Sequence, residues 1–294
     1  MDTIDMFLAY IQDERRCSPH TAVAYKIDLQ QYVSFLFSRD LTVENASHKD
    51  IRSWIVRLMS ENNTTRTINR KLSTLKKFYK FLLRTKRRPD NPMEKVMSPK
   101  QSKRLTEFVS EEDMGNLFDS LEFTDDFEGV RDRTILELFY ATGIRLSELV
   151  QLKREDLDFS RHTIKVMGKR KKERIIPIAP PMAAQLQNYL FFLEKKFGNI
   201  DYNQNIFVTN SGKPVYPQLI YKMVRKYLDA VTTIDKRSPH VLRHTFATHL
   251  LDNGAELLAI KELLGHTSLA ATQIYAGTSI EKIKKTYNQA HPRA

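Results

Sequence analysis

The residues best suited to chemistry lie in one stretch, Ser238 to Tyr275. It opens Ser-Pro-His-Val-Leu-Arg-His-Thr-Phe-Ala-Thr-His-Leu, passes through Leu-Leu-Gly-His at 263–266 and reaches Gln-Ile-Tyr at 273–275. Ser238 followed by Pro239 predicts a helix start, because a hydroxyl can cap free amides and proline fits the first turn. His240 and Arg243, three residues apart, then share one face near a helix N-terminus. A second apolar run, Leu257 to Leu264, ends at Gly265, with His266 next and Tyr275 nine residues further on. Cationic and proton-transferring groups beside a lone tyrosine suit chemistry on an anion. Phosphate is the natural candidate, since arginine binds it as a fork and a helix N-terminus adds oriented amides.

Two further positions belong with this stretch. An apolar helix over 130–142, with Ile135, Leu136, Leu138, Phe139 and Tyr140, is ended by Gly143 as a left-handed cap, and Arg145 follows in a tight turn before Leu-Ser-Glu-Leu opens another helix. An alternating strand over 162–168, with Ile164 and Val166 on one face, has a hairpin partner at 174–179, where Pro177 implies a sheet edge. The tip between them reads Gly-Lys-Arg-Lys-Lys-Glu and delivers Lys169 at a turn, with Lys171 and Lys172 as competitors for any role there. No Gly-rich phosphate loop and no dinucleotide fingerprint occurs. His240, His244, His249 and His266 raise a metal site, which is disfavoured because no Cys pair or carboxylate stands at ligand spacing.

The supporting elements are mainly helical. Helical patterns cover residues 3–15, a second helix from Ser18-Pro19 with apolar positions Val23, Ile27, Val33 and Leu36, a third from Ser47 with Asp50 in a capping box, and a fourth from about Thr65 with Ile68, Leu72, Leu75, Phe78, Tyr79 and Leu82. Arg66, Arg70, Lys76, Lys77 and Lys80 accompany that last stripe. Pro89, Pro92 and Pro99 then mark a basic linker, so the expected organisation is a helical unit at 1–86, a linker at 87–105 and a second domain at 106–294. Within it, Ser110 with Asp113 begins a helix, Pro180-Pro181 begins one that runs to Phe197, 206–209 is extended, and 217–231 is a helix bearing Lys222, Arg225 and Lys226. Thr278 with Glu281 caps a terminal helix with a stripe of Ile280, Ile283 and Tyr287.

Composition narrows the partner. The chain has 294 residues, 41% hydrophobic and 28% charged, with a net charge of +12. Residues 1–105 hold 21 Lys and Arg against 11 Asp and Glu, so most of the surplus sits in the N-terminal third and favours a polyanion such as nucleic acid. A single cysteine, Cys17, excludes an internal disulfide framework. No bilayer-length apolar run and no signal-peptide pattern is present, and the expected location is cytoplasmic.

Taken together, Ala-Thr-Gly-Ile-Arg-Leu-Ser-Glu-Leu at 141–149, the Gly168-Lys169 hairpin, His240-x-x-Arg243, Leu264-Gly265-His266 and Tyr275 resemble the tyrosine recombinase (phage integrase) family, closest to its Xer-type members, across the whole chain. The resemblance implies a mainly α fold with a small β-sheet: a helical SAM-like core-binding domain, and an α+β catalytic domain, closing as a C-shaped clamp on duplex DNA. By role it implies that Arg145 and Arg243 clamp the scissile phosphate, Tyr275 attacks phosphorus and forms a 3′-phosphotyrosine, Lys169 protonates the leaving 5′-oxygen, His240 is the acid/base histidine and His266 hydrogen-bonds the phosphate. No cofactor, metal or ATP is needed. The implied assembly is a homo- or hetero-tetramer on two DNA sites, with the tail at about 278–294 docked on a neighbouring protomer.

Two departures are local, and one is the unusually basic hairpin tip Lys169-Arg170-Lys171-Lys172, where the choice of Lys169 rests on its place after Gly168. Ala276-Gly277 follow the tyrosine where the family often carries Thr-His, which leaves the nucleophile's backbone freer. The expected function is Xer-like resolution of chromosome dimers, the absence of an arm-binding domain before Met1 favouring this over integration of a mobile element. A type IB topoisomerase and a non-catalytic DNA-binding protein are the other readings.

Overall fold

A computed structural model describes residues 2–14, 17, 19–100, 107–168, 173–199, 201, 203–265, 287 and 289–293. The chain divides into two compact units, 1–104 and 105–294, each with its own hydrophobic core.

The first unit contains α1 (Thr3–Asp13), α2 (Pro19–Phe37), α3 (His48–Ser60) and α4 (Thr65–Arg84). Helix α4 buries all six of its expected apolar positions. Helix α3 begins in the expected capping box, with the Ser47 amide donating to Asp50 Oδ2 at 2.8 Å. Helix α2 departs from expectation in its first half: Val23 and Ile27 are 59% and 49% exposed, whereas Leu36 is buried and Val33 packs on the core as expected, joined there by Ala22, Leu29, Tyr32 and Phe35. The cause is Asp28, which faces inward because Arg70, Lys71 and Thr74 of α4 all donate to it.

The segment expected as linker is also packed for much of its length. Arg88 is buried and donates to the Val43 and Glu44 carbonyls at 2.8 and 2.9 Å, a 3-10 turn spans Pro92–Lys95, and Met93 and Val96 complete the helical core. The prolines break the helix without releasing the chain from the unit, because two apolar side chains lie between them.

In the second unit α5 (Glu111–Gly115) is capped by Ser110, whose Oγ accepts from the Asp113 amide. Helix α6 (Phe127–Thr142) is the central element, buried on nearly every side and packed on α8 (Pro180–Phe197) and α10 (Pro239–Asp252). Between α7 (Leu146–Val150) and α8 lies an antiparallel sheet of β1 (Leu157–Asp158), β2 (Thr163–Met167) and β3 (Glu173–Pro177), in that order. β1 was not expected. Pro177 stands on the edge strand, opposite Thr163, where its missing N–H costs least. The segment expected to be extended at 206–209 forms no regular strand: Val208 makes an isolated antiparallel bridge to Pro214 and the Ile206 amide donates to the Leu152 carbonyl, and α9 (Pro217–Asp229) and α11 (Leu257–Leu264) complete the unit. Pro239 opens α10 as expected, although the Ser238 side chain makes no capping hydrogen bond. Among the described residues no helix is long and apolar enough to cross a membrane.

The described C-terminal residues pack on their own unit. Tyr287, assigned to a stripe for a neighbouring protomer, is fully buried in its own unit and stacks on His291, whose ring also packs on Tyr140 and Phe246. Aromatic burial holds it there, and Arg293 adds a two-bond ion pair to Asp119 at 3.0 Å. Thr278, Ile280, Glu281 and Ile283 lie outside the described residues.

His291 is neutral in this packing, since Nε2–H donates to the Tyr140 carbonyl (3.0 Å) and Nδ1 accepts from the Arg293 amide (3.1 Å). Burial pulls it from 6.5 down to about 4 despite the carbonyl bond. The unfolded form therefore takes up the proton first, and stability of this packing falls as pH drops from about 6.5 to about 4, by up to about 3 kcal/mol. Hydrogen exchange at 287–293, corrected for intrinsic pH dependence, should accelerate across that window and be flat above pH 7.

Candidate active site

Arg145 owes its position to the end of α6. Gly143 adopts φ +56°, its amide closes the helix on the Phe139 carbonyl at 2.9 Å, and the chain turns sharply enough for α7 to begin at Leu146. A Cβ at Gly143 would lie 2.5 Å from Phe246 Cδ1 and 2.8 Å from Leu264 Cδ2, in a backbone region that L side chains avoid. Gly143→Ala should therefore destabilise the second unit by at least about 2 kcal/mol in denaturant unfolding, from left-handed strain plus overpacking.

Three arginines converge where α6, α7, β3 and the end of α11 meet. Arg145 donates through Nη1 to Glu148 Oε1 (2.8 Å) and through Nη2 to the Gly265 carbonyl (3.0 Å). Arg243, from the second turn of α10, donates through Nη2 to the Leu264 carbonyl (2.6 Å) and through Nη1 to the Gly143 carbonyl. Arg174 of β3 donates through Nε to the Leu263 carbonyl (3.0 Å) and through both Nη atoms to Glu148 (2.6 and 2.8 Å). Three successive carbonyls, 263 to 265, thus each accept from a different guanidinium. They are the free acceptors at the C-terminus of α11, where the helix dipole favours cations.

Glu148 is the hub of the cluster. It is 4% exposed and also accepts from the Arg145 amide at 2.8 Å. Burial pushes its carboxyl up, but hydrogen bonds from Arg174 and the Arg145 amide, with the arginine charges, outweigh that and hold it below the usual carboxylate value. Arg243 moves the other way: burial, then the charges of Arg145 and Arg174, lower it to about 9, so it stays protonated at neutral pH. Three guanidinium groups against one carboxylate leave the site positive. Arg145 and Arg243 each commit two of five N–H donors to the contacts above, which leaves three apiece for an anion.

Of the sequence-predicted site residues, the structure brings Arg145 and Arg243 together on adjacent carbonyls and places His240 one turn before Arg243 on α10, exposed to solvent. Lys169, His266 and Tyr275 lie outside the described residues, as do Lys171, Lys172, Ala276 and Gly277. Sequence reasoning missed Glu148 and Arg174. Glu148 sits at the third position of α7, where an acidic residue can accept from the preceding backbone amide. Arg174 pairs with Val166 and shares the inward face of β3 with Ile176, and a charge on the buried face of a strand is a signal for a partner.

Comparisons with known proteins agree with this architecture. Residues 95–281 match the model of the phage integrase family, and residues 4–86 match its N-terminal SAM-like domain. Tyrosine recombinase XerC of Chlorobaculum parvum is 37% identical over 99% of this chain and 94% of that protein, and XerC of Staphylococcus epidermidis is 38% identical over 100% and 99%. Among solved structures, XerH bound to a palindromic difH substrate in a post-cleavage complex superposes with a TM-score of 0.74 at 18% identity, covering 96% of this chain and 83% of that one. The Tn1549 transposon integrase with transposon right end DNA gives 0.72 at 18%, covering 98% and 99%. At such identities the two structures speak for the fold alone, a helical SAM-like domain followed by an α+β catalytic domain. The full-length sequence matches and the family model together establish that the chain belongs to the phage integrase family of site-specific tyrosine recombinases.

Proposed function

We propose that the protein cuts and rejoins duplex DNA through a 3′-phosphotyrosine formed on Tyr275. The observation that carries this reading is the pair Arg145 and Arg243, held on adjacent carbonyls with three free donors each, at the point from which the chain runs on to His266 and Tyr275. Two such forks can bind the non-bridging oxygens of one phosphate and stabilise the extra charge of a pentacoordinate transition state. The Tyr275 oxygen bonds to phosphorus as the bond to the 5′-oxygen breaks. His240 receives the phenolic proton, Lys169 supplies one to the departing 5′-oxygen, and His266 hydrogen-bonds the phosphate. Lys171 and Lys172 compete with Lys169 for that role.

The covalent link conserves the free energy of the broken phosphodiester, so the reverse attack by a 5′-hydroxyl rejoins strands without ATP. Both units contribute to duplex binding, and protomers assemble as a tetramer on two sites, alone or with a second recombinase. Similarity to XerC supports resolution of chromosome dimers as the purpose.

A nicked suicide substrate tests the reading. After incubation and proteolysis the DNA should carry one peptide, joined through Tyr275, and an adduct on any other residue overturns the assignment. Relaxation of a supercoiled plasmid without exchange between two sites would instead mark a topoisomerase.

A further inference from the structure

The solvent-facing side of α4 presents Arg66, Arg70, Lys76, Lys77, Lys80 and Arg84, and the helix contains no acidic residue. Among the described residues no carboxylate lies within ion-pair distance of Arg66, Lys76 or Lys80. Arg70 is different. Its side chain is 49% exposed, yet Nη1 and Nη2 bind the two oxygens of Asp28 at 2.5 and 2.7 Å. Asp28 is fully buried and also accepts from Thr74 Oγ1 (2.9 Å) and Lys71 Nζ (3.3 Å), and Lys71, itself buried, donates to Gln31 as well.

The buried carboxylate already has a buried cation in Lys71, so Arg70 is not needed to balance its charge. What the pair does is fix the guanidinium. A free arginine on a helix surface samples many rotamers, whereas this one is held by two bonds to an immobile anchor, and its Nε and outer Nη hydrogens remain for a ligand. A guanidinium partly compensated by a carboxylate draws a phosphate less strongly than Lys76 or Lys80 does, but it keeps its directional donors. Paired donors at fixed spacing match the O6 and N7 acceptors that guanine shows in the major groove, which is wide enough to admit a helix.

We propose that Asp28 is a positioning residue that presents Arg70 to a guanine edge of bound DNA, making this pair a determinant of sequence preference, while Arg66, Lys76 and Lys80 grip phosphates. The proposal rests on duplex DNA being the substrate. It separates two uses of one basic stripe: uncompensated charges supply affinity for any sequence, and the compensated one supplies discrimination.

The test uses the full chain and the duplex it selects from a randomised pool, with a scrambled duplex of the same composition as reference. Arg70→Lys keeps the charge and leaves Asp28 its bonds from Lys71 and Thr74, but cannot make a two-donor contact. It should lower the preference for the selected duplex by about 5- to 100-fold, with affinity for the scrambled duplex and the salt slope unchanged. Lys76→Ala should weaken both duplexes alike and reduce the salt slope by about one. Asp28→Asn, judged at a temperature where it is folded, should lose preference as Arg70→Lys does, and the double variant should be no worse than either. Retention of preference in Arg70→Lys, equal weakening on both duplexes, or additive losses in the double variant would overturn the proposal. A wild-type chain that retains no duplex at all would instead sink the DNA reading on which it stands.

Discussion

Arg243→Lys is expected to slow DNA cleavage by about 10²–10³-fold while leaving duplex binding nearly intact, because one preorganised donor to a transition-state oxyanion is worth roughly that much. Charge is kept, so the loss isolates geometry. In the wild type the guanidinium spans from the Gly143 carbonyl to the Leu264 carbonyl and still has Nε and two further hydrogens free. An ammonium is a point donor on a flexible stem and cannot hold both carbonyls while facing a phosphate. Burial worsens the exchange, since Arg243 is only 9% exposed and an unpaired carbonyl left there carries a desolvation penalty. Single-turnover cleavage on the suicide substrate, set beside gel-shift affinity, separates the two effects. Equal losses in binding and cleavage would mean that Arg243 serves ground-state attachment only.

Glu148→Ala is expected to cost about 3–5 kcal/mol of stability in the catalytic unit, because it strands the buried side of two guanidinium groups that the carboxylate now pairs. Cleavage should fall further than stability explains. Arg145 would lose its Nη1 bond and its amide partner, and with them the orientation of its free donors. Glu148→Gln keeps the shape and one carbonyl acceptor and should recover part of the stability. The pH dependence carries a definite sign. The folded carboxyl lies below its unfolded value of about 4.5, so its contribution is complete above that pH and is lost as pH falls through the folded value. Urea unfolding of wild type and Glu148→Gln at neutral and acid pH would show the gap between them closing on the acid side.

Much of the helical framework was legible because it obeys period. The stripe of α4, the Ser47 box and the Gly143 stop are local patterns, and local physics decides them. The first half of helix α2 was read with the wrong residues inward, since Val23 and Ile27 outrank Asp28 on any hydrophobic scale, while Val33 and Leu36 do reach the core. The partners that draw Asp28 into the core stand more than forty residues away on α4. The same limit hid Arg174 and Glu148, whose functions exist only once β3 lies against α7. Arg145 and Arg243 were recognisable from their motifs, but nothing in the spacing says that the backbone carbonyls at 263–265 orient them. Tyr287 was placed on a stripe for a neighbouring protomer because a short amphipathic stripe does not reveal which copy of the chain covers it; here it lies in the core of its own unit.

The junction at the end of α11 also works as a ruler. Each of three successive peptide units there is tied to a cation from a different part of the unit, and the three span about 200° of rotation, so the register of this short helix is locked. Inserting one residue between Leu257 and Gly265 would swing everything downstream by about 100° around the helix axis and misalign all three tethers at once. A Cβ added at Gly198, just after Phe197, would meet nothing within 4 Å, and an insertion is expected to cost far less there than here.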